Sequence, residues 1–385
     1  MTISENLKYV GVNDHNIDLF EGQFAVPNGM SYNSYIILDE KIAVMDSVDA
    51  DFGEEWLSNI KNVLGNKTPD YLVVHHMEMD HSANILAFAK EFPDAKIVSS
   101  KMAFLMMKSY FGCDFADRQT VVCEGSKLSL GKHTLTFIGA PNVHWPEVLM
   151  SYEDSEKILF SADGFGKFGS LDKDEDWEDE AARYYFGIVG KFGDNVQSVL
   201  KKAESLDIKK ICPLHGPVLD KDLHKYTELY DIWSSYKPQF DRIFIPYTSV
   251  YGNTKKTVNE FIKILKEKGF KNVVSMDLAR EDVYKGIETA FRSSKIVFAS
   301  TTYNGGVFPA MREFIEKLVE RNFKNRKVAF IENGAWAPKA VATMKKLLEQ
   351  VQGIEFTGED VTVKISPDAD TQTKLESLAD VLIRS

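Results

Sequence analysis

Cysteine is scarce in this 385-residue chain, with Cys113, Cys123 and Cys212 the only three. Widely spaced thiols, odd in number, exclude a disulfide framework and argue for a reducing compartment, so a cytoplasmic protein is expected. No Cys-x-x-Cys occurs, which excludes a fused iron module held by thiolates. No apolar run is long enough to span a bilayer. The opening Met1-Thr2-Ile3-Ser4-Glu5-Asn6 lacks the basic patch and apolar core of a secretory leader. Excess positive charge is missing as well: the formal net charge of −11 argues against nucleic acid as a partner. Neither a membrane nor a nucleic acid is therefore expected to bind.

What is present fits a globular protein with room for two or three domains, 44% hydrophobic and 27% charged. The charge is uneven. Residues 241–385 hold 23 Lys and Arg against 18 Asp and Glu, a net of +5, which leaves 23 against 39, a net of −16, for residues 1–240. Opposite charges of this kind favour attraction between domains of neighbouring copies, or a small acidic partner at the basic domain.

The densest chemistry lies in His75-His76-Met77-Glu78-Met79-Asp80-His81. It follows Tyr71-Leu72-Val73-Val74, an apolar, β-prone run that predicts a buried strand, and precedes an apolar helical pattern after Ser82-Ala83-Asn84. That places it on a loop at the carboxyl end of a strand, where α/β folds collect their chemistry. His76 and Glu78 alternate and point one way. Asp80 and His81 turn to a second position, so the four could hold two metal ions. Strand alternation turns His75 to the opposite face.

Three further candidates follow. His144 lies in Ala140-Pro141-Asn142-Val143-His144-Trp145-Pro146, stiffened by two prolines. Asp163 lies in Phe160-Ser161-Ala162-Asp163-Gly164-Phe165-Gly166, and His215 in Ile211-Cys212-Pro213-Leu214-His215-Gly216-Pro217. Taken singly, such residues are more often structural. Seven of them at strand ends or in Pro/Gly-pinned loops make a metal site the stronger reading. His15, His133 and His224 lack that context. Short strands between residues 119 and 163 predict sheet packed on sheet with helices outside.

The set resembles the metallo-β-lactamase superfamily, which implies an αββα sandwich with a dinuclear site. Hydrolases of that superfamily usually read His-x-His-x-Asp-His; this chain reads His76-x-Glu78-x-Asp80-His81. A carboxylate in place of an imidazole hardens the site, which suits iron or manganese better than zinc. Three carboxylates and one bridging hydroxide balance two ferrous ions, so the cluster can be buried neutral. An iron pair can also change valence, which zinc cannot.

Past a boundary near Lys237-Pro238-Gln239-Phe240, strands and amphipathic helices alternate, so the expected domains are 1–240 and 241–385. Strands are expected at 242–247, 272–276, 295–299, 327–331 and 362–365, in a doubly wound parallel sheet. The first ends in Thr248-Ser249-Val250-Tyr251-Gly252-Asn253-Thr254 before a helix. Hydroxyls and backbone N–H groups there form a phosphate cradle, without the Lys of a Walker loop. The third and fourth strands end in Thr301-Thr302-Tyr303-Asn304-Gly305 and Asn333-Gly334-Ala335-Trp336. These loops resemble those of flavodoxins, whose phosphate loop reads Thr/Ser-x-Thr-Gly-x-Thr; Tyr251 stands for the middle Thr. The resemblance implies strand order 2-1-3-4-5, FMN as cofactor, its phosphate on residues 248–254 and its ring between the other two loops. Tyr303 or Trp336 could stack on that ring.

A β-lactamase-like domain carrying Glu78, followed by a flavodoxin-like one, resembles the flavodiiron proteins (A-type flavoproteins) over nearly the whole chain. By that resemblance His76, Glu78 and His144 hold one iron, Asp80, His81 and His215 the other, and Asp163 bridges them. The implied activity is reduction of dioxygen to water, of nitric oxide to nitrous oxide, or both, for detoxification. Electrons would come through FMN from a separate donor, a rubredoxin-like protein or a reduced deazaflavin, in a head-to-tail homodimer or a dimer of such dimers. A Tyr that related sequences place near the iron pocket is expected to align with Phe192. The rival reading is a metal-dependent hydrolase with a flavodoxin-like accessory domain.

Overall fold

The structure is a computed structural model that describes residues 3–385; Met1 and Thr2, in the segment read above for a leader, lie outside the described residues. The chain divides into two compact units, residues 1–185 with 194–230, and residues 186–193 with 231–385.

The first unit contains two sheets. One has six strands, in the order Leu7–Tyr9, Tyr35–Ile37, Ala43–Met45, Tyr71–Val73, Lys96–Ser99 and Gln119–Val121. Its first two pairings are antiparallel and the other three parallel. The other has five strands, Lys127–Ser129, Thr134–Gly139, Leu149–Glu153, Ile158–Phe160 and Lys210–Cys212, antiparallel except for the last pair. Tyr35, Ile37, Met45, Val73 and Val98 of the first pack with Leu135, Phe137, Leu149, Ile158 and Phe160 of the second in one apolar core. Alternation puts these side chains on one face of each strand.

Helices are built as their sequences direct. In Gly53–Leu64 the buried Trp56, Ile60 and Leu64 recur every four residues along one face, Glu54 and Glu55 occupy the first turn, and Gly65 at φ 60 ends it. One expectation is corrected locally. The stretch after His76 is not all loop, because Met79–Ser82 closes a helical turn that carries Asp80 and His81.

The second unit holds a parallel sheet ordered Val273–Asp277, Phe240–Tyr247, Ser293–Tyr303, Arg326–Asn333, Ile354–Phe356. This is the 2-1-3-4-5 order. The fifth position is split, since Ile354–Phe356 and Val361–Val363 both pair with Arg326–Asn333. Ile243, Ile245, Val297, Ala299 and Ile331 face a core completed by Val258, Phe261 and Leu265 and by Leu375, Leu378 and Leu382. The alternate residues Phe244 and Phe298 meet Phe314, each with ring centroids 6.3 Å from it. Helices thus cover both faces, as parallel sheets require. Apart from the short Gly306–Val307, which pairs antiparallel with Ser293–Tyr303, the strands point their carboxyl ends the same way, which gathers the loops after residues 247, 303 and 333 on one edge.

Candidate metal centre and cofactor pocket

Strand ends of the first unit bring the seven side chains together. His76 follows Tyr71–Val73, and Glu78 stands at the N-cap of the turn carrying Asp80 and His81. Asp163 follows Ile158–Phe160, His215 follows Lys210–Cys212, and His144 lies between Thr134–Gly139 and Leu149–Glu153. His76, Glu78, His144 and Asp163 form one group whose donor atoms lie within 4.8 Å of one another; Asp80, His81 and His215 form a second. In the first, His144 Nε2 is 3.1 Å from Glu78 Oε2, and His76 Nε2 is 3.3 Å from the same oxygen. In the second, His81 Nε2 and His215 Nε2 are 3.0 Å apart, and each is 3.2 Å from Asp80 Oδ2. Asp163 spans the two. Its Oδ2 lies 3.0 Å from His144 Nε2 and 3.4 Å from His76 Nε2, while its Oδ1 lies 3.3 Å from His81 Nε2.

This arrangement makes poor sense without cations. Both carboxylate oxygens of Asp80 and Oδ1 of Asp163 are buried and accept no hydrogen bond, although such groups are nearly always satisfied. Two imidazole nitrogens 3.0 Å apart repel unless a proton or a metal lies between them. The carboxylates decide the local electrostatics. Burial pushes His81 down, but Asp80 and Asp163 outweigh it and carry it up to about 10. Burial likewise opposes, and Asp163 and Glu78 carry, His144 up to about 9. Burial pushes Asp163 up, yet His76 and His81 hold it well below the carboxylate range. The residues fit a pair of hard, redox-capable ions.

Ions entering such a site must displace protons. Metal uptake by the metal-free chain at pH 7 should release protons, because His81 and His144 are still protonated there. Apparent affinity should rise with pH until those groups titrate, near pH 9 to 10. Calorimetry in buffers of different ionisation enthalpy measures the release.

Sequence reading did not single out several groups around this cluster. Glu147 Oε1 lies 2.8 Å from His76 Nδ1 and accepts the Met77 backbone N–H at 2.9 Å. Tyr184 is fully buried with its ring 5.5 Å from that of His215. Burial, then Asp163, Glu78 and Asp80, hold its phenol well above its ordinary range, so it stays a donor. Trp145 packs edge-on against His76, and Phe20 against His215, which keeps the imidazoles dry. Ala162 and Phe165, flanking Asp163, have φ of 49° and 65°. Such backbone is costly for residues with a side chain and is commonly held at functional sites. His75 faces away, its ring nitrogens 2.5 Å from Asp46 Oδ2 and 2.8 Å from Ser151 Oγ. His133 pairs with Glu153, and the exposed His15 and His224 lie outside both groups.

In the second unit, a cavity of about 600 Å³ opens at the carboxyl edge of the parallel sheet. Of the residues expected there, Ser249, Val250, Tyr251, Asn253, Thr254, Thr301 to Gly305 and Asn333 to Trp336 line it. Thr248 lies behind the wall, hydrogen-bonded to Ser300 Oγ at 2.9 Å, and Gly252 supplies the turn at φ 86°. Ala337, Lys339 and Ile365 complete the wall, from loops that the motif does not reach. The helix Asn253–Glu267 starts after Gly252, which has no side chain to cap it; Ser249 Oγ accepts the Lys255 N–H at 3.2 Å, and the Asn253 and Thr254 N–H groups, with no partner among the described residues, are open to an anion. Tyr251 and Trp336 are 93% and 83% exposed at the rim. Size, open helix terminus and flanking aromatics fit a flavin mononucleotide.

The description "ODP family beta lactamase" matches residues 30–216, and "Flavodoxin domain" matches residues 244–358. A nitric oxide reductase of Moorella thermoacetica is 32% identical over 342 residues, 85% of this chain and 84% of that one. The flavodiiron protein of Giardia intestinalis superimposes with a TM-score of 0.90 at 25% identity, covering 99% of this chain and 95% of that one. The chain belongs to the flavodiiron protein family. The same fold is seen in the rubredoxin oxygen:oxidoreductase of Desulfovibrio gigas, with a TM-score of 0.92 at 24% identity over 100% of this chain and 98% of that one. As in other flavodiiron proteins, a β-lactamase-like domain precedes a flavodoxin-like one. Among the described residues no helix is long and apolar enough to cross a membrane.

Proposed function

We propose that this chain is an oxidoreductase that reduces dioxygen to water, nitric oxide to nitrous oxide, or both. It uses FMN and a non-haem diiron pair to remove these gases from a reducing cytoplasm. The observation that carries the reading is Asp163, which presents one oxygen to each group of ligands. His76, Glu78 and His144 would hold one iron and Asp80, His81 and His215 the other, with Asp163 shared between them. The iron-bearing part is assigned to residues 1–240 and the flavin-bearing part to residues 241–385. A metal pair held there would supply the electrons and the Lewis acidity that reduction of a diatomic gas needs. The protein's own residues do the rest. The aromatic walls exclude water from the cluster, Glu147 holds His76 in one tautomer, and the Tyr184 phenol offers a hydrogen-bond donor beside His215.

The cavity of the second unit would hold FMN, with the start of Asn253–Glu267 available to its phosphate and the loops carrying Tyr303 and Trp336 to its ring. A separate molecule, a rubredoxin-like protein or a reduced deazaflavin, supplies its electrons. The exposed Tyr251 and Trp336 and the opposite charges of the two halves support a head-to-tail homodimer, singly or paired into a tetramer. A metal-dependent hydrolase with an accessory flavodoxin-like domain fits less well, because Glu78 stands where those hydrolases usually carry His.

Protein purified without oxygen should be yellow and contain two irons per chain. Once reduced, it should consume nitric oxide or dioxygen in a gas-electrode assay. Colourless protein carrying zinc, inert to both gases, would favour the hydrolase.

A further inference from the structure

The four imidazoles of the metal cluster are not supported alike. Each turns one nitrogen inward, and the partner of the other nitrogen differs. His76 Nδ1 donates to Glu147 Oε1 at 2.8 Å, with both side chains fully buried. His215 Nδ1 donates to the backbone carbonyl of Ser31 at 2.7 Å. His81 Nδ1, though buried, has no partner among the described residues. Of these three, only His76 is backed by a full negative charge. Glu147 is also held in place by the Met77 N–H at 2.9 Å, while its Oε2 is buried without a partner. That charge has no counter-ion of its own among the described residues. It is answered only through His76, and so through whatever His76 binds.

A carboxylate behind a ligating imidazole fixes its tautomer and makes it a stronger donor. The first group then feels Glu78 directly and Glu147 through His76, whereas the second feels Asp80; Asp163 is shared. We propose that Glu147 is a positioning residue that makes the two halves of the diiron site unequal: the His76–Glu78–His144 half takes its ion first and holds it more tightly. The inference rests on the two-iron reading above and deepens it. A pair with one firmly held ion and one looser ion is also a pair in which the second half is freer to rearrange around a substrate.

The test uses the metal-free full-length protein and ferrous iron alone, read by Mössbauer spectroscopy. With one equivalent per chain, wild type should show one dominant quadrupole doublet, and a second should grow only with further iron. Glu147→Gln keeps the size and an acceptor oxygen for both hydrogen bonds, and removes only the charge. It should weaken binding of the first ion by about 10–100-fold and make both doublets appear together. His215→Ala, which cripples the other half, should still take one ion with the first-filling doublet of wild type. Loss of that doublet in His215→Ala would show the opposite order of filling and overturn the proposal. So would a Glu147→Gln protein that fills in the wild-type order with wild-type affinity. Wild type that binds no iron would sink the two-iron reading itself and this inference with it, an outcome readily told apart from the other two.

Discussion

Asp163→Ala should empty both halves of the metal cluster while leaving the protein yellow. Two divalent cations about 4 Å apart repel by roughly 17 kcal/mol at an effective dielectric of about 20. An anion between them offsets much of this, and Asp163 is placed to do so, with Oδ2 3.0 Å from His144 Nε2 and Oδ1 3.3 Å from His81 Nε2. Without it, each half keeps three donors, but the pair loses its shared carboxylate. Loss of an outer partner of a metal ligand costs roughly 10–100-fold in affinity or activity. Loss of a ligand common to both ions should exceed that, so turnover with either gas should fall by more than about 100-fold. The variant should still fold, since without Asp163 burial favours the neutral form of His81 and His144, so no unpaired charge need be left in the pocket. The FMN cavity is lined wholly by residues of the second unit and should be unaffected. Iron analysis and the flavin absorbance of the same sample check both halves of the expectation. Two irons retained per chain would refute the bridging role.

How much of this was legible in sequence depended on whether a residue's role has a local signature. His76, Glu78, Asp80 and His81 sit within six residues after an apolar run, so their proximity needed no fold. His144, Asp163 and His215 were legible because proline or glycine pins each loop at a strand end, and in the structure they meet the first four. The 2-1-3-4-5 sheet followed from strict alternation of strand and helix. Glu147 was not legible. A glutamate three positions after a histidine has no period or motif of its own, and its role exists only because the turn folds it back onto His76. Tyr184 was missed for the same reason, since its helix reads as ordinary amphipathic sequence. Lys339 and Ile365 reach the cavity from loops whose sequence resembles no phosphate or ring motif. The assignment of residues 186–193 to the second unit depends on packing that crosses a long stretch of chain, where no composition shift marks it.

Stripping the flavin should stop steady turnover without disturbing the iron. The donor atoms of the cluster come from residues 76–215, and the walls of the cavity from residues 249–365, so neither site lends a side chain to the other. Flavin-free protein should therefore keep its two irons, while reduction of nitric oxide driven by an external donor falls by on the order of 100-fold or more, which is about 3 kcal/mol of lost rate. Adding FMN should restore it. Riboflavin, which has the ring without the phosphate, should restore it poorly. The helix Asn253–Glu267 presents the Asn253 and Thr254 N–H groups at its start, beside the Ser249 hydroxyl, which accepts the Lys255 N–H at 3.2 Å, and the Thr254 hydroxyl, 3.0 Å from Thr301 Oγ1. The helix dipole contributes about 1 kcal/mol toward an anion, and charge-assisted hydrogen bonds contribute roughly 1.5–3 kcal/mol each. Even one such bond with the dipole comes to about 2.5–4 kcal/mol, so riboflavin should bind on the order of 10²–10³-fold more weakly than FMN. Fluorescence quenching on titration gives both affinities. Equal binding of the two flavins would mean that the loop Thr248 to Thr254 does not hold a phosphate, and would leave the cavity without its proposed occupant.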